Sequence, residues 1–505
     1  MKKLQLLLLL NITFLSAFSQ TTHTLVNEVS LDSLINTVRE FSGEDSATFN
    51  DTTVRIVHRV SKKNNNLAAD YLVHRLKAYG LQVETIDYRN GGRNVIGTMV
   101  GKTNPDSVVI ISAHYDAVAN YCADDNASGS ATVIEAARIM TQYCFRNTVK
   151  FVFWDEEERG LIGSRYYADS AFARGERIKS VLNMDMMGYD GDSNKVFDIH
   201  TNSNPENQAL KDTVLYLVDT LQLDLVPKVI NPGTTRSDHA SFWRHRYPAV
   251  FCGESFIGGD PNPAYHTSKD RISLFDLGYY HKLAKLAIGL TIEMTGVIPT
   301  VVERDTITAC FAYTYKDTVF NTSTVYADHL TNALGCDSIY EMDLRITTIN
   351  DSIERNTIGL NALDTASTYQ WVRCSGTSRI PMYNQKNKAF RVPLDDFYAV
   401  ILDKNGCIDT SDCVLVTLTD IEKLHLAVAK LYPNPTSDMV TIELFDVVDE
   451  ATIYVRNSTN QLVGQTQCYN QKVNKVALPG ANGVYFIQVM TSMGTSTYRV
   501  IKTAD

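Results

Sequence analysis

The chain has 505 residues, 44% of them hydrophobic and 21% charged, which is enough to bury more than one core and predicts roughly two to four domains. Lysine and arginine number 47 against 57 aspartates and glutamates, a net charge of −10, and no cluster of basic residues stands out. That balance argues against nucleic acid or an anionic lipid surface as a partner.

The first twenty residues, MKKLQLLLLLNITFLSAFSQ, combine two lysines, an apolar run and a small-residue ending at Ala17 and Ser19. They predict a secretory signal peptide over residues 1–20, cleaved near Ser19 or Gln20. The apolar run is shorter than the roughly 20 residues of a membrane-spanning helix, and no later segment is long and apolar enough to cross a bilayer. Of the nine cysteines, Cys122, Cys144 and Cys252 lie early, whereas Cys310, Cys336, Cys374, Cys407, Cys413 and Cys468 fall in the last two hundred residues. An exported chain tolerates disulfides, and small β modules gain most from them. Cys310 with Cys336, and Cys374 with Cys407 or Cys413, are the expected pairs.

From about residue 50 to 300 helical and strand patterns alternate. LAADYLVHRLKAYG places Leu67, Tyr71, Leu72, Leu76 and Tyr79 on one helical face and stops at Gly80. NVIGTMV and SVVIISAHYD read as strands, SATVIEAARIMTQY as a helix, and VKFVFWDEE as a strand buried on both faces. The expected fold is α/β, a mostly parallel mixed sheet flanked by helices, with functional residues at the carboxyl ends of strands. After Pro299 short Thr- and Tyr-rich strands predict small all-β sandwich modules, divided near residue 348. From Leu431 four alternating strands are read: LYPNPTSDMVTIELF, ATIYVRN, GVYFIQVMT and TYRVIK.

The residues that carry chemistry sit at predicted strand ends. VVIISAHYD ends on His114 and Asp116, two residues apart and on one side of an extended chain. His114 can bind a metal while Asp116 holds its other ring nitrogen. ADDNASG follows, with Asp124 and Asp125 adjacent just before a helix that begins near Ser128; an acid there can also serve as a cap or dipole partner. FVFWDEEERGLIGS places Glu157 and Glu158 in a run of acids after a buried strand, and VLNMDMMGYD isolates Asp185 among apolar neighbours. A carboxylate in apolar surroundings must be paired or bound to a cation. NPAYHTSKD supplies His266 from a loop. Two histidines and several carboxylates on one α/β domain fit a site for two zinc ions, and an aspartate shared between two cations explains adjacent like charges in ADDNASG.

Taken in order, His114-x-Asp116, ADDNASG, EEERGLIGS, LNMD and AYHTSKD resemble the exported dizinc aminopeptidases of the bacterial leucyl aminopeptidase type, within the co-catalytic zinc exopeptidases. The resemblance covers roughly residues 50 to 295 and implies two Zn2+ per chain. It implies that Asp125 bridges them, joined to Asn126 by what is often a cis peptide in this family. His114 and Asp185 would be terminal ligands of one ion, and Glu158 and His266 of the other. Glu157 matches the general base and Asp116 the carboxylate that orients His114. The implied reaction is hydrolysis of a peptide bond without a covalent intermediate, using a two-zinc-activated water. Ser237 to Ser241 match the family's Ser-Asp-His-Ala-Ser block, in which His239 is read as structural. Some members carry just before this block a tyrosine that assists the oxyanion and a nearby disulfide; Thr234 and Arg236 stand there instead.

The tail, LYPNPTSDMVTIEL, GVYFIQV and YRVIK, resembles the C-terminal sorting domain of the type IX secretion route. The expected organisation is a signal peptide (1–20), a dizinc peptidase domain (21–298), a small β module (301–347), an Ig-like β module (348–420) and a sorting domain (425–505). The expected partners are peptide or protein substrates and the secretion machinery, and the expected location is secreted or on the outer cell surface. Two other readings stay open: a single-zinc, glutaminyl-cyclase-like transferase on the same fold, and a non-catalytic surface binding protein.

Overall fold

A computed structural model describes residues 22–88, 91–256, 259–356, 359–365, 367–418, 428–491 and 494–504. The expected signal peptide lies outside the described residues. The chain divides into two compact units, Met1–Glu303 with Asp328–Tyr340, and Arg304–Ala327 with Glu341–Asp505.

In the first unit, helix α1 (Leu31–Ser42) starts at Ser30, whose hydroxyl accepts the Ser33 amide, and ends at Gly43 with φ +77°. A Cβ at Gly43 would lie 2.4 Å from the Ile56 carbonyl oxygen, so only glycine lets the chain turn there. Leu34, Val38 and Phe41 on its inner face are fully buried. The buried Glu135 carboxylate fixes the entry to α1, accepting the Ser30 amide and the Ser33 hydroxyl at 2.7 Å each while Arg138 donates to it. Residues ahead of the expected catalytic body are therefore part of its core.

After the hairpin β1 (Ala47–Phe49) and β2 (Thr52–Val54) comes α2 (Lys62–Ala78). It begins five residues before the predicted start, because its first turn, KKNNN, is polar and adds nothing to the apolar period. It leads to an eight-stranded sheet. In chain order the strands are β3 (Gln82–Asp87), β4 (Arg93–Met99), β5 (Asn104–His114), β6 (Asn147–Trp154), β7 (Arg177–Met184), β8 (Val196–His200), β9 (Val226–Ile230) and β10 (Ala249–Glu254). They lie in the order β3-β4-β6-β5-β7-β10-β8-β9. The central run β6-β5-β7-β10 is parallel, with β3–β4, β4–β6 and β10–β8 antiparallel, giving the mixed sheet the patterning predicts.

Both faces of this sheet are covered. On one face Ile111 and Ala113 of β5 and Phe151 and Phe153 of β6 join the core made with α3 (Gly129–Met140) and α7 (Leu277–Thr295). On the other face Val108, Ile110, Val152 and Trp154 pack with Tyr167 and Ala171 of α4 (Ile162–Ala173) and with Phe242 of α6 (His239–Trp243). Alternate side chains thus enter two different cores, which is why these strands read as unbroken apolar runs. Because the four central strands are parallel, their carboxyl ends open on one edge, where the chemistry is expected.

In the second unit, Thr368–Ser375 pairs antiparallel with Asp396–Lys404 over a core of Trp371, Phe390, Tyr398 and Val400. The C-terminal sheet has five strands: Val428–Tyr432, Met439–Asn457, Leu462–Ala477, Gly483–Thr491 and Gly494–Lys502. The unexpected one, Leu462–Ala477, buries few side chains, so its polar sequence carries no alternation to read. Cys374 pairs with Cys413, as one of the expected alternatives had it. Cys310 pairs with Cys407 and Cys336 with Cys144, correcting the expected Cys310–Cys336 pair. Connectivity follows from which Cα atoms the fold brings within about 7 Å, and spacing along the chain does not report it.

Candidate metal centre

Each expected site residue leaves the sheet at the same edge. His114 is the last residue of β5, Glu157 and Glu158 follow β6, Asp185 follows β7, and His266 lies in the loop after β10. Asp125 sits in the kinked turn Ala123–Ser128 that joins the β5 segment to α3, where Asp125 and Asn126 leave helical φ/ψ and the peptide bond between them is cis. The Asn126 side chain locks this turn, donating to the Met184 carbonyl at 2.8 Å and accepting the Gly129 amide at 2.9 Å. A Cβ at position 129 would meet Asn126 Oδ1 at 2.3 Å, which accounts for the glycine of ADDNASG.

The structure brings the donor atoms together in two adjoining groups. Around His114, Nε2 lies 3.3 Å from Asp125 Oδ1 and 3.3 Å from Asp185 Oδ1. Around His266, Nε2 lies 3.2 Å from Asp125 Oδ2 and 3.2 Å from Glu158 Oε2. The two oxygens of Asp125 therefore face different histidines. Donor atoms within each group lie within 4.8 Å of one another.

Asp116 orders the site from behind. Its Oδ1 is 3.4 Å from His114 Nδ1, and its two oxygens accept the amides of Glu157 at 3.1 Å and Glu158 at 3.3 Å. With Nδ1 turned to Asp116, the Nε2 lone pair is directed at the carboxylates. The turn carrying the glutamates puts Glu156 and Leu161 at positive φ, 56° and 59°, an uncommon conformation held by the Asp116 bonds and by the Leu161 amide donating to the Glu157 carbonyl.

The electrostatics of the five ligand candidates suit bound cations. Asp125 Oδ2 and Glu158 Oε1 are buried and accept no hydrogen bond from the described residues. Burial, followed by the charge of Asp125, pushes Glu158 up to about 8. Burial also pushes Glu157 well above the ordinary carboxylate range, with Asp238 and Asp185 adding to it and His114 opposing. Burial works against a charged His114, yet Asp185, Asp116 and Asp125 leave its pKa well above the usual imidazole value. Two carboxylate-rich groups with unsatisfied buried oxygens and an imidazole each have the donor chemistry of divalent, nitrogen-accepting metal ions such as zinc, so the residues fit the group.

Four contributors were not assigned by sequence reasoning. Asp270 accepts the amides of Asp124 and Asp125 at about 3.0 Å, fixing the turn. Ser237 Oγ donates to Asp185 Oδ2 at 2.7 Å. Buried Arg59 donates to the carbonyls of Phe41, Tyr115, Tyr121 and Cys122, tying α1 to the loop before the turn. Glu254, at the end of β10, is buried, lines the cavity and accepts the Tyr189 amide. Ser237 and Asp270 lie inside stretches already singled out, whereas nothing in the sequence marks Arg59. His239 is away from both groups: its Nε2 donates to the Thr234 carbonyl at 2.8 Å and its ring packs on Trp243 and Phe251. The centre opens into a cavity of about 460 Å³ with Leu161, Met186, Phe251, Phe256 and Tyr265 as its apolar walls.

Metal-donor side chains converging at the carboxyl ends of parallel strands, with one aspartate common to two groups, define this as a candidate metal centre on a mixed α/β sheet. Residues 94–291 match the model of peptidase family M28, and residues 430–503 match the secretion system C-terminal sorting domain. Over residues 94–291 the chain thus resembles M28 peptidases, and the sorting domain matched at residues 430–503 marks it as secreted or displayed on the outer cell surface. Among curated proteins it is 31% identical over 249 residues to a "Probable leucine aminopeptidase" of Trichophyton verrucosum, covering 45% of this chain and 66% of the relative. It is 28% identical over 247 residues to "Leucine aminopeptidase 1" of Paracoccidioides brasiliensis, covering 46% of this chain and 61% of the relative. The chain therefore spans less than two thirds of the length of these relatives. Among solved structures, the LapA aminopeptidase of Legionella pneumophila aligns with a TM-score of 0.47 and 23% identity over 55% of this chain and 75% of that one. Among the described residues no helix is long and apolar enough to cross a membrane.

Proposed function

We propose that this chain is a secreted zinc-dependent aminopeptidase that hydrolyses the amino-terminal peptide bond of its substrates. The observation that carries the reading is the division of Asp125, with Oδ1 facing His114 and Oδ2 facing His266. In this reading His114, Asp185 and Asp125 would hold one zinc, and Glu158, His266 and Asp125 the other. The pair, when bound, supplies Lewis acidity that makes water a nucleophile at neutral pH and polarises a substrate carbonyl.

The chain's own groups do the rest. Glu157 Oε takes a proton from the attacking water and passes it to the amine of the leaving peptide, and its protected place at the cavity wall keeps it from bulk solvent. Asp116 holds His114 through Nδ1 and, through two amides, the turn that aims Glu157 and Glu158. Ser237 fixes the rotation of Asp185. Glu254, which lines the cavity outside both donor groups, offers the free amine of a substrate a carboxyl group, which supports an amino-terminal over a carboxyl-terminal mode. The names of the matched relatives point the same way. A single-zinc cyclase has no use for the second donor group, and a non-catalytic binding protein has none for Glu157.

The test is a substrate panel with metal control. Leucine p-nitroanilide is cleaved, its N-acetyl form is not, a chelator abolishes cleavage, and added zinc restores it. Cleavage of the blocked substrate, or full activity in chelator, overturns the reading; one zinc per chain with cyclisation of amino-terminal glutamine replaces it with the transferase.

A further inference from the structure

The cavity has a second charge character that zinc binding does not use. Arg165 and Arg236 both line it, both are exposed, and neither forms an ion pair with a described residue. This is unusual for a chain with ten more acids than bases, where a guanidinium readily finds a carboxylate. The acid one turn along from Arg165, Asp169, is engaged elsewhere, 2.6 Å from His245 Nε2. Arg236 precedes Ser237, which touches Asp185, so its backbone is anchored next to the centre. It also lies near Tyr265, whose hydroxyl its charge pulls toward ionisation against the dominant effect of burial.

We propose that Arg165 and Arg236 form a docking subsite for a carboxylate on the leaving-peptide side of the substrate. This deepens the aminopeptidase reading and rests on it. The direction follows from the proton path. Glu157 delivers its proton to the leaving amine, so the leaving peptide lies against the turn that carries Glu157. That same turn runs through Gly160 and Leu161 into α4, whose first turn bears Arg165. A carboxylate on the leaving peptide is attracted to the two guanidiniums, whose planar donor forks suit it. The carboxylate has two sources, the free carboxyl terminus of a short peptide or an acidic side chain just beyond the scissile bond. The first would make this enzyme a consumer of the short fragments that endopeptidases release.

The experiment compares matched pairs on the zinc-loaded full chain. Leu-Gly-Gly against Leu-Gly-Gly-amide reports the chain terminus, and Leu-Glu-amide against Leu-Gln-amide reports the side chain. The expected result is kcat/KM at least fivefold higher for the charged member of one pair, with that ratio falling to near one in Arg165→Gln/Arg236→Gln. The same pairs are titrated by calorimetry into Glu157→Gln, where the affinity ratio follows the same pattern without turnover. Ratios near one in both pairs, or a ratio that survives the double substitution, overturn the subsite. A protein that hydrolyses none of these peptides contradicts the aminopeptidase reading alone, because the calorimetric ratio still decides the arginines.

Discussion

Asp124 and Asp125 are neighbours with the same side chain and opposite fates. Asp124 is saturated: Oδ1 accepts the amides of Met187 and Gly188, and Oδ2 accepts Asn262 Nδ2. It staples the strand-end loops around the centre. Asp125 receives no such bond on Oδ2 and turns both oxygens to histidines. A division of labour is also expected between Glu158, whose Oε2 lies 3.2 Å from His266 Nε2, and Glu157, which lines the cavity and whose carboxylate lies within 4.8 Å of donor atoms of His114 and Glu158. The proposal therefore predicts that Glu157→Gln retains two zinc ions per chain by elemental analysis and loses kcat by about 10³-fold, the upper part of what a general base supplies. Loss of metal in that variant would move Glu157 from proton carrier to ligand.

At the scale of elements, the site exists because four parallel strands end on one edge and the connections after β5, β6, β7 and β10 each deliver one part of it. The N-terminal segment belongs to the same machinery. Phe41 is buried in the main core, its carbonyl accepts Arg59 Nη1 at 3.0 Å, and its ring lies under the Arg59 guanidinium. Arg59 in turn holds the backbone leading into the Asp125 turn. A segment tied in this way contributes to the core it packs against. Phe41→Ala is expected to lower the unfolding free energy by about 3–5 kcal/mol, the cost of emptying an aromatic site in a core. A denaturant titration measures it, and a change below about 1 kcal/mol would leave α1 free to be shed without harm.

For the whole molecule, the cores are separate. Among the described residues, the buried side chains of the large core lie between Leu25 and Val297, and those of the C-terminal core between Val440 and Val500. Removing residues 430–503 takes away no side chain of the catalytic body. The truncated protein is expected to hydrolyse leucine p-nitroanilide within about twofold of the full chain's rate while failing to reach the cell exterior, since the address has gone. Fractionation of cells followed by the anilide assay checks both halves. A truncated protein that is exported normally would assign the address to another part of the chain.

The α/β class was legible along the chain for a local reason, and the five candidate ligands, with Glu157 and Asp116, were named from the resemblance that the ordered motifs carry. Strands buried on both faces must be continuously apolar, so an acid or histidine at the end of such a run stands out as something the core cannot hold. Local signals also marked the glycines of the turns, because a missing Cβ is a property of one residue. What only the tertiary structure decided involves partners far apart in sequence. It saturated Asp124 with amides sixty residues away, chose Cys144 for Cys336 across 192 residues, and recruited Arg59 and Asp270 to hold a turn neither adjoins. Such roles are set by distance in space, and a sequence records only order along the chain.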